Sequence, residues 1–426
     1  MHRTCHLNRK CNLCESYFLD KLDSAKLARS KVFCTAPWVS INVHPEGFVS
    51  PCSFFEQHSP LGTLKSHSLQ EIRRCASMQE LQSNMLKEKE SAGCRQCYAQ
   101  EKAGSDSLRL HMNRIYSDSI PEIAACSSLE KTEALIDVRY LELQFSNLCN
   151  FRCRMCGPAF SSSWIQDHKK MFPGEDVKVH RLTDVNINAE KEIHQLLKGV
   201  HEIYMWGGEP LISEEHYRLL QALIDLKRTD VRIRYSTNFS NLEFKGHDVI
   251  EYWKKFPNLS IGASLDAVGS RGELIRKGMD WQEIVANRER LKREIPRIDF
   301  FVSCTVSVMN VWHITDFHRE WVEKDYIKMN QFNPNILLGP EYYRIQILSP
   351  EMKLKVKEKI QNHLTSFIGD AEEFRGLRER FQAVINFMES ENRETLVPEF
   401  KLRTSQLDEI RGENFKNTFP ELASLF

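Results

Sequence analysis

The chain has 426 residues, a length that accommodates two or three domains with well-buried cores. Its 58 lysines and arginines balance its 58 aspartates and glutamates, so we expect no nucleic acid and no anionic membrane as a partner. The amino terminus lacks the apolar stretch of a signal peptide, and no run of about 18 apolar residues occurs in the sequence. Most of the 13 cysteines lie in groups, which favours metal or cluster binding over a disulfide framework and predicts a soluble, cytoplasmic protein.

Residues 1–30 are predicted to be a separate segment that contains cysteine and histidine. Cys5, Cys11 and Cys14 lie close to two histidines here, a composition that suits a further metal site. A short and charged terminus is also often disordered. The sequence leaves both interpretations open.

A β-hairpin is predicted after residue 31. Apolar and polar residues alternate over 39–43, the sequence His-Pro-Glu-Gly at 44–47 is typical of a turn, and an apolar pair at 48–49 begins the return strand. Because a hairpin brings the outer ends of its two strands together, we expect Cys34 and Cys52 to lie side by side.

Cys94 and Cys97 form a CxxC pair later in the same region. With Cys34 and Cys52 they offer four thiolates, which suit either an iron–sulfur cluster or a structural zinc ion. The pattern Cys-x12-Gly-x4-Cys followed by CxxC resembles the twitch module, a shortened SPASM domain that binds one auxiliary [4Fe–4S] cluster in some radical S-adenosylmethionine (SAM) enzymes. The resemblance covers residues 31–100. Such modules usually follow the catalytic domain, whereas this one comes first.

Two helices are predicted around this CxxC pair. The first opens with a capping box at residues 68–71 and carries Cys75 on its apolar face, where the thiol is expected to belong to the core. The second spans about 107–116, within an otherwise polar connecting segment at 101–137 that also holds Cys126, a cysteine with no evident partner. Hairpin and helix together predict a small, cysteine-rich α+β module.

Three cysteines follow the first strand of the next domain. Residues 140–145 alternate as a strand should, and Cys149, Cys153 and Cys156 lie on the loop at its carboxyl end. Three thiolates can hold one iron–sulfur cluster, and because a [4Fe–4S] cube normally takes four protein ligands, one iron stays open for a cosubstrate. Zinc or buried thiols are the alternatives. Zinc motifs favour paired CxxC or Cys/His units, and no histidine lies between residues 145 and 164.

The spacing CxxxCxxC, with an aromatic residue before the second cysteine, resembles the signature of the radical SAM superfamily. The resemblance implies that the three cysteines bind a [4Fe–4S] cluster whose open iron chelates the amino and carboxylate groups of SAM. It also implies that the cluster, reduced by an external electron donor such as a flavodoxin or ferredoxin, gives one electron to SAM. A carbon–sulfur bond then breaks, and the 5′-deoxyadenosyl radical abstracts a hydrogen atom from the substrate.

Strand-like and amphipathic helical runs alternate over residues 138–348, which predicts an α/β fold with a parallel sheet or barrel. Six strands are predicted, at residues 140–145, 202–206, 231–236, 259–265, 299–308 and 343–348. Helices are predicted between them at residues 214–227, 248–256, 281–294 and 314–324. Six repeats match the partial (β/α)6 barrel of the superfamily better than a closed eight-stranded barrel. Residues 349–426 are predicted to form a helical carboxyl-terminal region.

The second predicted strand is followed by Gly207, Gly208, Glu209 and Pro210. Paired glycines let the backbone approach a ligand closely, and the carboxylate beside them can receive a charged amino group. These residues match the GGEP motif of the superfamily, which holds the SAM amino group. The alternative is an ordinary Gly-Gly turn before a helix.

Further polar residues end the third and fourth predicted strands. Ser236 and Asn238 end the third, and Ser264 and Asp266 end the fourth. The resemblance implies that these positions contact the ribose and carboxylate of SAM, although polar residues also end strands merely to cap the next helix. Arg276 is a candidate partner for the SAM carboxylate, with a surface ion pair as the alternative.

The resemblance also implies a reaction class. Enzymes with twitch or SPASM modules modify peptides, mature sulfatases or dehydrogenate sugars, and we expect oxidative modification of a peptide or protein, with the auxiliary cluster accepting the electron left on the substrate. Dehydrogenation of a sugar or another small metabolite is the alternative. A non-enzymatic, cysteine-rich metal-binding adaptor or redox sensor would have no use for residues 207–210. No catalytic base is identified.

Overall fold

The computed structural model describes residues 24–55, 61–102, 106–125 and 136–426. Contacts divide the chain into two compact units, one formed by residues 1–42 and 48–141 and the other by residues 43–47 and 142–426. The predictions for Cys5, Cys11, Cys14 and Cys126 lie outside the described residues.

The first unit contains short helices and most of three short strands, whose hairpin turn at residues 43–47 is assigned to the second unit. Its strands are β1 (Ser40–Val43), β2 (Phe48–Ser50) and β3 (Gly62–Thr63), which are neighbours in that order. The predicted hairpin is confirmed, and its turn closes with a hydrogen bond from the Gly47 nitrogen to the His44 carbonyl oxygen at 2.8 Å. The helices are Ser24–Arg29, Ala36–Val39, Leu69–Arg73, Ala76–Leu86, Arg95–Lys102, Leu108–Ile115 and Ile120–Ala125.

Cys75 lies between two helices and not on the face of one. The capping box of Ser68 and Glu71 is present, but the helix that it opens ends at Arg73. Cys75 has extended backbone and caps the next helix, because its Sγ atom accepts a hydrogen bond from the Met78 nitrogen at 3.4 Å. The prediction of a core thiol on a helix face is therefore wrong, and the side chain is half-buried.

The second unit is built on parallel strands with helices between them. Its sheet runs in the order β11-β10-β9-β6-β5-β4, and the pairs β5–β6, β6–β9, β9–β10 and β10–β11 are parallel. The strands of this unit are β4 (Tyr140–Leu143), β5 (Glu202–Met205), β6 (Arg232–Thr237), β7 (Glu243–Phe244), β8 (His247–Asp248), β9 (Leu259–Ser264), β10 (Asp299–Val306) and β11 (Phe332–Ile336), of which β7 and β8 form a separate antiparallel pair.

Helices connect these strands and continue to the carboxyl terminus. Those of the barrel region are Trp164–Met171, Leu182–Val185, Ala189–Leu196, Glu214–Asp225, Val249–Trp253, Gly269–Ile275, Trp281–Glu294 and Ile314–Glu323. Those beyond it are Pro350–His363, Arg375–Ser390, Val397–Arg411 and Phe415–Thr418. The predicted α/β fold, with its partial barrel of six strands and a helical carboxyl-terminal region, is confirmed. None of the helices in the described part of the chain is long and apolar enough to cross a membrane.

The sixth strand is not where the sequence predicted it. Residues 343–348 form short 3-10 turns, whereas the strand is β11, whose sequence Phe-Asn-Pro-Asn-Ile resembles a loop. Pro334 lacks the N–H that a central strand needs, but β11 lies at the end of the strand order, where proline is tolerated. The apolar residues at 343–348 are buried instead against the carboxyl-terminal helices, as when Tyr343 packs edge-on against Phe400.

Candidate functional site

The loop after β4 carries Cys149, Cys153 and Cys156, and its backbone is held by specific hydrogen bonds. The nitrogens of Arg152 and Arg154 donate to carbonyl oxygens of Lys277 and Ile275 at 2.8 and 2.7 Å. The Cys156 nitrogen donates to the Cys153 carbonyl oxygen at 3.0 Å. The loop therefore has a defined shape without forming a helix or strand.

The structure brings these three thiols together. A hydrogen bond with Cys156 lowers the pKa of the Cys153 thiol, and the charge of Arg276 adds to this shift while burial opposes it. Burial raises the pKa of Cys149 to about 12, with smaller contributions from Cys153 and Glu209. All three thiols lie on one short loop of fixed backbone, where the Cys153 Sγ atom is 3.7 Å from Nη1 of Arg276, and three soft donors on such a loop suit an iron–sulfur cluster.

Gly207 and Gly208 form a turn that lies directly against the start of the cysteine loop. Both have positive φ, at 76° and 58°. A Cβ atom on Gly207 would lie 2.3 Å from Oε1 of Gln144, and one on Gly208 would lie 2.4 Å from the Leu148 carbonyl oxygen. The Glu209 nitrogen donates to that same oxygen at 2.7 Å. Only glycine fits this turn, which is thereby fixed beside the cysteines.

The carboxylate of Glu209 is buried and accepts three hydrogen bonds. Its donors are the Thr237 hydroxyl at 2.6 Å, the Asn238 nitrogen at 2.6 Å and the Leu211 nitrogen at 3.1 Å. Burial raises the pKa of Glu209 to about 7, although the three donors oppose that shift. A carboxylate has about four lone-pair sites, so one remains for a ligand. Pro210 follows and begins the short turn Pro210–Ile212.

Asn238 connects the end of β6 to the cysteine loop. Its Nδ2 atom donates to Oδ1 of Asn150 at 2.7 Å and lies 4.0 Å from the Cys149 Sγ atom. Its Oδ1 atom accepts from the nitrogen and hydroxyl of Ser240. The amide is therefore occupied by protein partners that hold the loop, and a contact with SAM stays a prediction.

Ser236 and Ser264 lie on the neighbouring strands β6 and β9. Both are half-buried, and Ser264 pairs in register with Ser303 on β10. Ser236 forms a hydrogen bond with Tyr204, and this bond opposes the burial that raises the pKa of the Tyr204 hydroxyl. Both serines lie near the carboxyl ends of their strands, as predicted, but their contact with a ligand is untested.

Asp266 and Arg276 form a buried ion pair. Nε and Nη2 of Arg276 lie 2.7 and 3.0 Å from the two carboxylate oxygens, and the Thr305 nitrogen donates to Asp266 at 2.8 Å. The Nη1 atom of Arg276 lies 3.7 Å from the Cys153 Sγ atom. The alternative of a surface ion pair is therefore wrong, and the pair links β9 and β10 to the cysteine loop. The sequence predicts each residue as a SAM contact but gives no sign of the ion pair between them.

A second group of cysteines lies in the first unit. Cys34, Cys52, Cys94 and Cys97 line one cavity, together with Arg109 and apolar side chains. Burial raises the pKa of Cys34 to about 12, and Cys94 and Cys97 add to the shift. Among the described residues no group of three or more His, Cys, Asp or Glu is arranged to hold a single metal ion. Four soft donors around one cavity suit a cluster of several irons.

Two residues that sequence reasoning missed hold Cys34 in place. Asn113 accepts a hydrogen bond from the Thr35 nitrogen at 2.8 Å and donates one to the Phe33 carbonyl oxygen at 2.9 Å. It therefore fixes the backbone on both sides of Cys34. Arg109 donates to the same Phe33 oxygen at 2.8 Å. Both come from the helix Leu108–Ile115, whose polar residues gave no sign in the sequence of a role beyond solvation.

Comparison with known proteins identifies both cysteine-containing regions. Residues 143–321 match the family described as the radical SAM superfamily, and residues 34–98 match SPASM, described as an iron–sulfur cluster-binding domain. The first match contains the cysteine loop and residues 207–210. The second contains all four cysteines of the cavity, and it precedes the first, as the sequence indicated.

Individual relatives are distant. GTP 3′,8-cyclase from Campylobacter lari is 26% identical over 129 residues, which are 29% of this chain and 34% of that protein. The structure of anSMEcpe with bound AdoMet is 17% identical with a TM-score of 0.40, covering 60% of this chain and 65% of that one. SuiB from Streptococcus suis bound to the precursor peptide SuiA is 14% identical with a TM-score of 0.37, covering 68% and 66%. The chain thus spans about a third of the curated relative.

The two family matches confirm what the cysteine patterns implied. The matched domains bring a [4Fe–4S] cluster with SAM and an auxiliary iron–sulfur cluster, which are the predicted cofactors. Together they identify a radical SAM domain at residues 143–321, preceded by an SPASM iron–sulfur cluster-binding domain at residues 34–98.

Proposed function

We propose that this enzyme reductively cleaves SAM and oxidises a peptide or protein substrate. The observation that carries the proposal is the arrangement of Cys149, Cys153 and Cys156 beside the turn of Gly207, Gly208 and Glu209. Soft thiolates and a carboxylate with a free lone-pair site are the donors that a cluster and an amino group require.

The cysteine loop supplies three ligands for the catalytic cluster and leaves one iron for SAM. When bound, the reduced cluster and SAM supply the chemistry, since one electron breaks a carbon–sulfur bond and the 5′-deoxyadenosyl radical takes a substrate hydrogen atom. Glu209 accepts a hydrogen bond from the SAM amino group. Asn238 and Arg276 hold the loop in shape, and Ser236, Ser264 and Asp266, at or just after the carboxyl ends of β6 and β9, contact SAM in this proposal.

The four cysteines of the first unit hold the auxiliary cluster in this proposal. Cys34, Cys52, Cys94 and Cys97 provide a full set of thiolates, so no open iron remains. A fully ligated cluster is suited to accept the electron left on the substrate radical, which makes the net reaction an oxidation. The catalytic cluster receives its electron from an external donor such as a flavodoxin or ferredoxin.

A small-molecule substrate is the second candidate. The relative from Campylobacter lari is named for a reaction of GTP, a small metabolite, although this chain matches only 34% of its length. Stimulation of 5′-deoxyadenosine formation by the peptide fraction of a cell extract, and not by its small-molecule fraction, would favour the peptide. The reverse result would favour the metabolite.

The test of the reaction class is formation of 5′-deoxyadenosine. The protein is reconstituted anaerobically with iron and sulfide and then given SAM and dithionite. We expect 5′-deoxyadenosine from the unchanged protein and none when Cys149, Cys153 and Cys156 are all replaced by Ala. Undiminished formation in that variant would contradict the assignment. A metal-binding adaptor or redox sensor would form none in either case.

A further inference from the structure

The carboxyl-terminal segment reaches the loop that carries the catalytic cysteines. Arg154 lies on that loop between Cys153 and Cys156, and its side chain is 0% exposed. Its Nη2 atom forms ion pairs with Asp408 and with Glu413, the latter at 2.6 Å. Two carboxylates from the end of the chain therefore neutralise a cation in the middle of the motif.

A second set of contacts joins the same two segments. Asp167 accepts from Arg152 of the loop at 2.8 Å and from Arg411 of the carboxyl-terminal helix at 2.8 Å. The Arg411 guanidinium also lies over the ring of Trp164, 5.0 Å from its centroid. Trp164 in turn donates from Nε1 to the Cys153 carbonyl oxygen at 2.6 Å. The segment thus contacts the loop directly at Arg154 and indirectly through Asp167 and Trp164.

Burial makes these contacts obligatory. Removing one partner of a buried ion pair leaves an uncompensated charge, which is strongly destabilising. Arg154 is stable in its buried position only while a carboxylate of this segment is docked beside it. Both carboxylates lie beyond residues 143–321, the part of the chain that matches the radical SAM superfamily.

We propose that residues 397–413 lock the cysteine loop in its cluster-binding shape, with Arg154, Asp408 and Glu413 as positioning residues. The inference rests on the proposed role of Cys149, Cys153 and Cys156 as cluster ligands. Its rival is that the backbone bonds from the loop to Lys277 and Ile275 suffice, so that the ion pairs contribute only to general stability.

The test compares how fast a ferrous chelator removes the two clusters from the anaerobically reconstituted protein. Glu413→Gln keeps the size of the side chain, removes its charge and leaves Asp408 paired with Arg154, so this variant is expected to fold. Arg154→Met removes the cation, and Arg154→Lys keeps the charge but not the planar fork. Arg393→Met is the matched control, because Arg393 pairs with Glu341 and Glu391 on the surface of the same region.

The proposal predicts a selective effect. In Glu413→Gln and Arg154→Met the catalytic cluster should be lost at least about tenfold faster than in the unchanged protein, a factor equivalent to about 1.4 kcal/mol. The rate of loss in Arg154→Lys should lie between the rates of these variants and that of the unchanged protein. The auxiliary cluster should be lost at an unchanged rate, as should both clusters in Arg393→Met. The electron paramagnetic resonance signal that shifts on SAM addition identifies the catalytic cluster, and its line shape should change in the two variants.

Two results would overturn the inference. One is an unchanged rate and line shape in Arg154→Met, and the other is equal acceleration for both clusters, which general destabilisation would produce. If instead the unchanged protein bears no cluster that depends on Cys149, Cys153 and Cys156, the proposed function itself fails.

Discussion

Buried carboxylates are costly unless neighbouring groups stabilise their charge, and Glu209 has three donors that do so. We expect Glu209→Gln to weaken SAM binding while iron is retained, because the carboxylate accepts its hydrogen bonds from Thr237, Asn238 and Leu211, which are not cluster ligands. A hydrogen bond to a charged group contributes about 1.5–3 kcal/mol, so the Kd for SAM should rise roughly ten- to a hundredfold.

The measurement is SAM titration of the reconstituted protein, together with its iron content. Glu214→Gln is the control, since Glu214 is an exposed carboxylate that pairs with Lys245. If Glu209→Gln loses the catalytic cluster and the control does not, the division between metal-binding and SAM-binding residues is wrong.

Gly208 allows a second test at the scale of one residue. Gly208→Ala places a methyl group 2.4 Å from the Leu148 carbonyl oxygen, next to Cys149, on a backbone with φ of 58°. Gly246→Ala shares the unfavourable positive φ, at 82°, but its Cβ meets nothing within 4 Å. The control should lose about 1 kcal/mol of unfolding free energy, the usual order for such backbone strain.

The Gly208 variant should lose more stability than this control and also iron, because Leu148 must move and the cysteine loop moves with it. Denaturant unfolding and iron analysis measure both effects. Equal losses of unfolding free energy and of iron in the two variants would show that the turn at Gly208 does not fix the position of the cysteine loop.

At the scale of elements, the helix Leu108–Ile115 supports the auxiliary cysteines through a buried ion pair. Arg109 is 4% exposed and pairs with Glu101, which is 17% exposed. Removing one partner of a buried ion pair lowers the free energy of unfolding by about 3–5 kcal/mol, so Arg109→Met should strongly destabilise the first unit. On the same helix Arg114 pairs with Asp106 at the surface, where such pairs contribute about 0–1 kcal/mol.

Arg114→Met is therefore the matched control for Arg109→Met. Hydrogen exchange resolves the first unit from the second, which a single melting temperature does not. We expect protection to fall in the first unit only, and only in the Arg109 variant. Similar protection in both variants would mean that the buried pair does not stabilise the cysteine-containing module.

Sequence patterns predicted elements well where their signals are local. Cysteine spacing and the Gly-Gly-Glu turn are properties of a few adjacent residues, and five of the six strands lie where short strand-like apolar runs predict them. β11 was missed because an edge position tolerates Pro334 in a way that only the assembled sheet reveals. Residues 343–348 alternate too, but they are buried by helices that lie far along the chain.

The supporting contacts of the site were beyond prediction for the same physical reason. Arg276 and Asp266 were both candidates for SAM, yet their mutual ion pair depends on how two loops meet. Arg154 pairs with a residue 254 positions away, and no local pattern signals that partner. Residues that bind a cluster or cofactor recur at fixed spacing in the sequence and can be recognised from it. Residues that support them are brought together only by tertiary packing, so the sequence does not reveal them.

At the scale of the whole molecule, each compact unit contains one complete cysteine group. The triple Ala variant of Cys149, Cys153 and Cys156 should therefore retain about four irons per chain, those of one [4Fe–4S] cluster. Iron, sulfide and zinc analysis after anaerobic reconstitution measures this. The triple Ala variant of Cys34, Cys52 and Cys94 is the reciprocal control, and it should retain a cluster that responds to SAM.

Loss of all iron from the first variant would mean that the auxiliary cluster is not independent. Zinc in place of iron would mean that the four cysteines of the first unit form a structural zinc site. Because removing ligands can unfold a small metal-stabilised module, the reciprocal variant is judged by its remaining cluster and not by its stability.

The distance along the chain between Arg154 and Asp408 has a consequence for how the protein is made. Asp408 leaves the ribosome 254 residues after Arg154, and at about 5–20 residues per second that interval is roughly 10–50 s. During this time a nascent chain presents the cysteine loop without the carboxylates that later enclose it. We therefore expect iron and sulfide to load most readily during this interval, before Asp408 and Glu413 pair with Arg154.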